Sequence, residues 1–288
     1  MENRSCVTDI NKSLAVALKL CGPAMLVSEN GTVVSQITNQ LVAIVTKKHP
    51  CQQDDVEEGD EELDESSEFD WLVIDTALDA IISLSGALGP SFAELWKVFE
   101  KPILKYASSQ ESVERSTAVG TIAECVGNMG ESVTPYTSSI LKVLLHRLSD
   151  EDPDTKANAA YGVGLLCESS TNEQEILKNY NSILAKLEPL LHNQQNARVL
   201  DNSAGCVSRM ITRHPNNVPI AEVLPRLVDL LPLREDYEEN KPVYGMIVKL
   251  CKLPMIPVYD ETALTHFTNR PSWQRNDPTA DSKPHASL

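Results

Sequence analysis

The sequence is poor in the features that mark secreted, redox-active or membrane-spanning proteins. Its seven cysteines are an odd number, lie singly along the chain and form no Cys-x-x-Cys pair. We therefore expect free thiols in a reducing compartment rather than a disulfide framework or a zinc site. No run approaches the ~18–20 apolar residues that a membrane-spanning helix needs, and no secretory signal follows Met1. These absences predict a soluble intracellular protein.

Signals for catalysis are equally scarce. The chain contains no Gly-x-Ser-x-Gly elbow for a nucleophilic serine, and no glycine-rich loop after a strand that could cradle a phosphate. Its six histidines fall mostly at predicted helix ends or near the C-terminus, where a histidine is an ordinary favourable residue. We therefore expect no enzyme, no cofactor and no metal site.

The charge balance is strongly acidic and points to basic partners. Aromatic residues make up only 5% of the chain, whereas the formal net charge is −16 and the pI is near 4.8. Such a surface repels nucleic acid and anionic membranes, and it attracts histones, ribosomal proteins or lysine-rich localisation signals. Solubility alone would also explain the acidity, so the distribution of the negative charge along the chain has to decide between solubility and a surface for basic partners.

Helical periodicity runs through most of the first 250 residues, without competing strand-like alternation. The predicted helices lie at about residues 5–21, 30–48, 69–89, 91–107, 111–129, 133–149, 154–169, 175–193, 196–213, 220–231 and 236–252. Four of these helices contain similar segments, which start at Asp75, Ser116, Asn158 and Asn202, 41, 42 and 44 residues apart. Each segment has an alanine two places after its start, which lets helix axes approach closely. A period of ~40–47 residues with two helices per unit is typical of HEAT repeats.

We therefore predict an all-α fold, a HEAT-repeat α-solenoid in which neighbouring helix pairs stack. An ordinary helical bundle is the alternative. The predicted organisation is partial repeats over 1–50, an acidic loop over 51–68, about four and a half helix pairs over 69–252, and an irregular tail over 253–288. Five prolines and the loss of helical periodicity predict that this tail is disordered.

The predicted loop is dense in negative charge and cannot fold on its own. It is either a solvated linker or a mobile polyanion that screens or recruits a basic partner. Its acidic residues are Asp54, Asp55, Glu57, Glu58, Asp60, Glu61, Glu62, Asp64, Glu65 and Glu68.

Two strings near the end of the periodic region resemble a known family. They are Leu-Asp-Asn-Ser-Ala-Gly-Cys-Val-Ser-Arg-Met-Ile over 200–211 and Leu-Leu-Pro-Leu-Arg-Glu-Asp-Tyr-Glu-Glu-Asn-Lys-Pro-Val-Tyr over 230–244. Together with the repeats and the acidic loop, they resemble the importin-β (karyopherin-β) family, and within it the importin-four subgroup. The resemblance covers roughly residues 5–245 and corresponds to the C-terminal repeats of a receptor several times longer.

The resemblance implies nuclear import of basic cargo, with core histones and ribosomal proteins as expected classes. It also implies contact with nucleoporins, shuttling between cytoplasm and nucleus, and a Ran-binding region that lies mainly in N-terminal repeats absent here. A HEAT scaffold or regulatory subunit that assembles other proteins without transport is the alternative function.

The family binds cargo lysines with acidic and asparagine side chains on the second helix of each repeat, which lines a concave face. Carried onto this chain, the pattern nominates Asn158, Asn202, Glu238 and Glu239, with Asp75 at the equivalent place in an earlier repeat. Adjacent residues lie about 100° apart on a helix, so Glu238 and Glu239 are not expected to point inward together. Trp71 either packs in the core or stacks on the stem of a cargo lysine or arginine.

Overall fold

A computed structural model describes residues 2–27, 31–53, 63–192 and 196–252 of the chain. These residues form eleven α-helices, several of them joined by short 3-10 turns, and contain no β-strand. The helices are α1 (Glu2–Cys21), α2 (Thr32–Val45), α3 (Leu63–Leu88), α4 (Ala93–Tyr106), α5 (Ser112–Met129), α6 (Thr137–Arg147), α7 (Pro153–Ser169), α8 (Glu173–Leu191), α9 (Ala197–Arg213), α10 (Ile220–Asp229) and α11 (Asn240–Lys252). The prediction of an all-α fold is confirmed.

The predicted acidic loop is partly helical, because α3 begins at Leu63 rather than near residue 69. Asp64 and Glu65 lie in the first turn of α3, where the helix dipole favours negative residues, and Glu68 follows one turn later. The assignment of these three residues to a loop is therefore wrong. The other seven acidic residues of that segment lie outside the described residues, and so does the predicted tail from residue 253.

The last predicted helix also begins later than expected. α11 starts at Asn240, and Tyr237–Glu239 forms a separate 3-10 turn before it. The two neighbouring glutamates of that turn therefore belong to a short connecting segment rather than to a long helix.

The helices pair as the repeat period predicts. α2 packs against α3, α4 against α5, α6 against α7 and α8 against α9. The second helices of these pairs also pack side by side, in the order α3, α5, α7, α9, and α1 precedes them against α3. We call these five helices the B layer. This arrangement is that of a HEAT-repeat α-solenoid, which confirms the predicted fold class.

Small residues bring the B-layer helices close together. The alanines that recur in the four similar segments, Ala77, Ala118, Ala160 and Ala204, are fully buried. At Gly164 in α7, a Cβ atom would lie 2.9 Å from the Cα of Cys206 in α9, so no larger residue fits without moving the backbone. The repeat-to-repeat spacing thus depends on side-chain size at these positions.

One apolar stretch departs from the sequence expectation about membrane spans. Residues 70–106 are long and apolar enough to cross a membrane by length and composition, and an 18-residue window within them has a mean hydropathy of 1.6. In the structure this stretch belongs to α3 and α4, and more than half of that 18-residue window is buried inside the protein. Its side chains include Ile74, Leu78 and Phe99, which are core residues with no exposed surface.

The chain divides into one compact unit over Met1–Met246 and a second over Ile247–Leu288. Only residues 247–252 of the second unit are described, and they form the end of α11.

Candidate functional site

A cavity of about 290 Å³ opens between α3, α5, α7 and α9 of the B layer and the segment 236–239. On α5, Ser116, Gly120 and Glu124 are spaced four residues apart, so one helix face lines the cavity. Arg198 and Asn202 have the same spacing on α9. We call this space the acidic cavity, because the carboxylates that line it are Asp79, Glu124, Asp236, Glu238 and Glu239.

Four of these five carboxylates form no salt bridge within the described part of the chain. They are Asp79, Glu124, Asp236 and Glu238. The ion pairs among the described residues involve other carboxylates: Arg4–Asp70, Lys97–Glu94, Arg115–Asp150, Arg147–Asp150, Lys178–Glu175, Arg198–Asp154, Arg209–Glu168, Arg209–Glu239 and Arg213–Glu173. Desolvation raises the pKa of Glu124, and repulsion from Glu238 and Asp236 raises it further, while the positive charge of Lys19 on α1 offsets part of this rise. Desolvation and the neighbouring Asp75 likewise raise the pKa of Asp79. The cavity therefore favours an incoming positive charge.

Asn202 adds an unsatisfied hydrogen-bond acceptor to this wall. Its side chain is 1% exposed, and its Oδ1 has no hydrogen-bond partner among the residues that the structure describes. A buried polar group without a partner costs about 1–3 kcal/mol, so a donor that reaches it is stabilised. Carboxylates beside a free amide oxygen suit an ammonium group, which carries three donors.

Asn158, the equivalent residue one repeat earlier, has both ends of its amide occupied. Its Nδ2 donates to the carbonyl oxygen of Ser116 at 3.0 Å, and its Oδ1 accepts from Arg198 Nη2 at 2.7 Å. Arg198 also donates to Asp154 Oδ1 at 3.1 Å. Asn158 therefore links α5, α7 and α9 and offers no free acceptor to a partner.

The segment that closes the cavity is held by its backbone. Oδ2 of Asp201 on α9 accepts hydrogen bonds from the backbone N–H groups of Arg234, Glu235 and Asp236, at 3.0, 2.8 and 2.9 Å. Three donors converging on one carboxylate oxygen form strong, charge-assisted bonds. They fix the course of the chain just before the two glutamates at 238 and 239.

A buried ion pair fixes the end of the same segment. Arg209 donates to the Glu239 carboxylate through Nη1 at 2.5 Å and Nη2 at 2.9 Å, and its Nε donates to Glu168 at 3.2 Å. The Arg209 guanidinium also lies 5.5 Å from the ring centroid of Tyr161. A Cβ atom at Gly205 would overlap the Glu239 carboxylate, so only glycine leaves room for it. Glu239 is thus neutralised inside the protein.

The predicted site residues divide into three groups. The structure brings Asn158, Asn202, Glu238 and Glu239 together around the acidic cavity, although we expected the two glutamates not to face inward together. Glu238 is exposed, whereas Glu239 is 1% exposed and paired with Arg209, so Glu239 is not available to a cargo lysine. The expectation for Glu239 needs this correction, because its carboxylate already has two guanidinium donors.

Two predicted residues lie outside the cavity wall. Asp75 is one helical turn from Asp79, and Asp79 is the residue that lines the cavity. Trp71 packs against Tyr106, with ring centroids 5.7 Å apart, and Tyr106 in turn donates to the Val45 carbonyl oxygen. These contacts support the first of the two interpretations of Trp71, that it packs in the core.

Sequence reasoning missed several residues of the wall, namely Asp79, Glu124, Tyr161, Arg198 and Asp236. Helical spacing alone could have found two of them. Asp79 lies four residues after Asp75, and Glu124 lies eight residues after Ser116, so each continues the face of a predicted segment. Within the described residues, no group of three or more His, Cys, Asp or Glu side chains is arranged to hold a metal ion.

Comparison with known proteins decides the family. A family model described as "Importin subunit beta-1-like, TPR repeats" matches residues 62–161. The "Probable importin subunit beta-4" of Schizosaccharomyces pombe is 39% identical over 219 residues, 73% of this chain and 20% of that protein. "Importin-4" of Homo sapiens is 33% identical over 239 residues, 82% of this chain and 22% of that protein. The chain belongs to the importin-β (karyopherin-β) family.

This importin-β family chain spans about a fifth of the length of these two relatives, and both are consistent with the importin-four subgroup. The crystal structure of the karyopherin Kap121p bound to the SUMO protease Ulp1p is similar in fold, with a TM-score of 0.64. It is 13% identical and covers 90% of this chain and 24% of that one. At this identity the likeness concerns the fold alone.

The two strings that carry the importin-β resemblance are the two sides of one contact. Asp201, Gly205 and Arg209 belong to the first string, and the backbone of 234–236 and Glu239 belong to the second. The motif therefore describes how one segment docks on α9 and shapes the acidic cavity.

Proposed function

We propose that this chain is part of a nuclear import receptor and that its acidic cavity binds a basic side chain of a cargo protein. Core histones and ribosomal proteins are the expected cargo classes, because both are rich in lysine. Nucleoporin contact, Ran-dependent release and shuttling between cytoplasm and nucleus belong to the longer receptor. The relatives named as importins, 39% and 33% identical to this chain, support this role.

The observation that carries the proposal is the mismatch of charge and hydrogen bonding around the acidic cavity. Asp79, Glu124, Asp236 and Glu238 form no salt bridge within the described residues, and the buried Oδ1 of Asn202 lacks a donor there. One ammonium group would supply both the positive charge and the hydrogen-bond donor. Carboxylates matched inside the fold, such as Glu239, would gain nothing from it.

The experiment measures binding of a fluorescent, lysine-rich histone-tail peptide to the wild-type chain and to Glu238→Lys. Glu238 is exposed at the rim, where an ion pair contributes only about 0.2–1 kcal/mol. Because reversal also adds repulsion, we expect a loss of about 1–1.5 kcal/mol, roughly five- to tenfold in Kd. Binding should weaken further as salt rises, since screening acts over ~8–10 Å.

The matched control is Glu188→Lys, which changes the net charge equally. Glu188 is exposed on α8, outside the B layer and outside the cavity wall. We expect this variant to bind the peptide nearly as the wild type does. If Glu188→Lys weakens binding as much as Glu238→Lys, net charge alone explains the effect and the cavity is not the binding site.

A further inference from the structure

Arg198 is the only lysine or arginine among the described residues that line the acidic cavity. It lies in the first turn of α9, and its side chain is 38% exposed. A cation in this position is unexpected for a surface that is to attract cations. Its contacts explain why it is there.

The guanidinium of Arg198 occupies two acceptors on α7. Nη2 donates to Asn158 Oδ1 at 2.7 Å, and Nη1 donates to Asp154 Oδ1 at 3.1 Å. An amide oxygen beside a carboxylate is the same pair of acceptor types that Asn202 and Glu238 present one repeat later. Arg198 therefore binds α7 in the manner expected of a cargo side chain.

Asn158 and Asn202 occupy equivalent places in successive repeats, yet their surroundings are opposite. Asn158 faces Arg198, and its Oδ1 is satisfied. Asn202 faces the carboxylates of 236–239, and its Oδ1 has no partner within the described residues. The acceptor of one of two similar subsites is thus satisfied by the chain itself, and the buried acceptor of the other has no donor within the described residues.

We propose that Arg198 is an internal competitor that fills a second cation subsite formed by Asn158 and Asp154. The proposal rests on the proposed function of the acidic cavity. The subsite at Asn202 takes one basic side chain, and a second basic side chain binds only by displacing the Arg198 guanidinium. Arg198 thereby limits the cavity to ligands with one well-placed cation and weakens its affinity for pairs of cations.

The test uses two synthetic peptides of equal length, one with a single lysine and one with two lysines among neutral residues. We compare the wild-type chain with Arg198→Ala by fluorescence anisotropy. Removing the competitor should tighten the two-lysine peptide by about two- to fivefold, the upper part of the range for a partly exposed ion pair. The one-lysine peptide should change by less than about twofold.

Arg213→Ala is the matched control, because it removes the same charge from the same helix. Arg213 lies at the other end of α9, 3.9 Å from Glu173, and is half-exposed. It should alter the affinity for both peptides by less than about twofold. A gain for Arg213→Ala equal to that for Arg198→Ala would show a general charge effect and would overturn the proposal.

Asp154→Ala provides a second test that does not depend on Arg198→Ala alone. Asp154 is exposed at the start of α7, so its loss should leave the fold intact. We expect little effect of Asp154→Ala in the wild-type background, and loss of the gained affinity in the Arg198→Ala background. If Arg198→Ala binds the two-lysine peptide no more tightly than the wild type does, the proposal that Arg198 is a competitor is wrong. The proposed function of the acidic cavity still stands in that case, provided that the wild type binds the peptide and Glu238→Lys weakens the binding. If neither peptide binds the wild type or Arg198→Ala, the cavity function fails as well.

Discussion

The carboxylates of this chain fall into two regions with opposite surroundings. Between the repeats, carboxylates are buried and fully matched by guanidinium or backbone donors: Asp150, Asp201 and Glu239. Around the acidic cavity, four carboxylates form no salt bridge within the described residues: Asp79, Glu124, Asp236 and Glu238. The matched group holds the repeats in place, whereas the unmatched group remains available for a partner.

Glu238 and Glu239 show the difference between the two regions most directly. They are neighbours in the sequence and in one 3-10 turn. Glu239 is buried against Arg209, and Glu238 is exposed at the cavity rim. Changes in the matched region should therefore affect stability first, and changes in the unmatched region should affect binding first.

The largest expected effect is on stability, from Arg209→Leu. This change leaves the buried Glu239 carboxylate without its guanidinium, and breaking such a pair costs about 3–5 kcal/mol. Urea denaturation followed by circular dichroism measures the change in the free energy of unfolding. Adding Glu239→Leu should recover much of the loss, because both charges are then gone. A loss of the same size in the control Glu238→Gln would remove the distinction between the two regions.

Asp201→Ala should have the next largest effect. The backbone N–H groups of 234–236 lose their common acceptor, and hydrogen bonds to a charged group contribute about 1.5–3 kcal/mol. We expect faster amide hydrogen exchange at Arg234, Glu235 and Asp236, together with weaker peptide binding as the segment loosens. Asp201→Asn keeps one acceptor oxygen and should have an intermediate effect. Unchanged exchange in Asp201→Ala would contradict the docking role of this residue.

Asp150 should make stability depend on pH. Burial alone would raise the pKa of Asp150, but hydrogen bonds from Arg115 and Arg147 lower it to about 2. A lowered carboxylate pKa adds stability above the unfolded value of 3.8, and this stability is lost as the pH falls toward 2. The shift corresponds to about 2 kcal/mol at neutral pH.

Unfolding of the wild type and of Asp150→Asn at pH 7 and at pH 3 measures this contribution. The two proteins should differ most at pH 7, and the difference should shrink as the pH falls below 3.8. Equal differences at both pH values would show that Asp150 stabilises the fold by packing rather than by its charge.

The smallest expected effect is the pH dependence of peptide binding. Desolvation and repulsion raise the pKa values of Glu124 and Asp79, so protonation begins at a higher pH than for ordinary carboxylates. Protonation removes negative charge, so affinity for the lysine-rich peptide should fall as the pH is lowered from 7.5 toward 4, and the fall should begin above the ordinary carboxylate values of 4.5 and 3.8. Glu124→Gln should bind more weakly at pH 7.5 and respond less to pH. An affinity that is constant over this range would show that these carboxylates do not contact the peptide.

Much of the fold could be predicted from local patterns. The spacing of apolar residues locates the helices, and the recurrence of Asp75, Ser116, Asn158 and Asn202 gives the repeat. The start of α3 was missed because its first turns are highly acidic, a composition that suggests a loop even where the helix dipole favours it. The sequence pattern assigns Asn158 and Asn202 the same role, although only Asn202 has an acceptor without a donor among the described residues.

The sequence by itself determined the all-α repeat architecture, the small-residue positions of the B layer and the family. These features depend on periods of 3.6 and about 42 residues, which are visible along the chain. Only the tertiary structure decided which charges are matched. Arg209 and Glu239 are 30 residues apart, Arg198 and Asn158 are 40 apart, and Asp201 reaches a backbone 33–35 residues away. Such pairings arise when neighbouring repeats stack, because stacking brings equivalent helix faces into contact and leaves each polar group either satisfied or free.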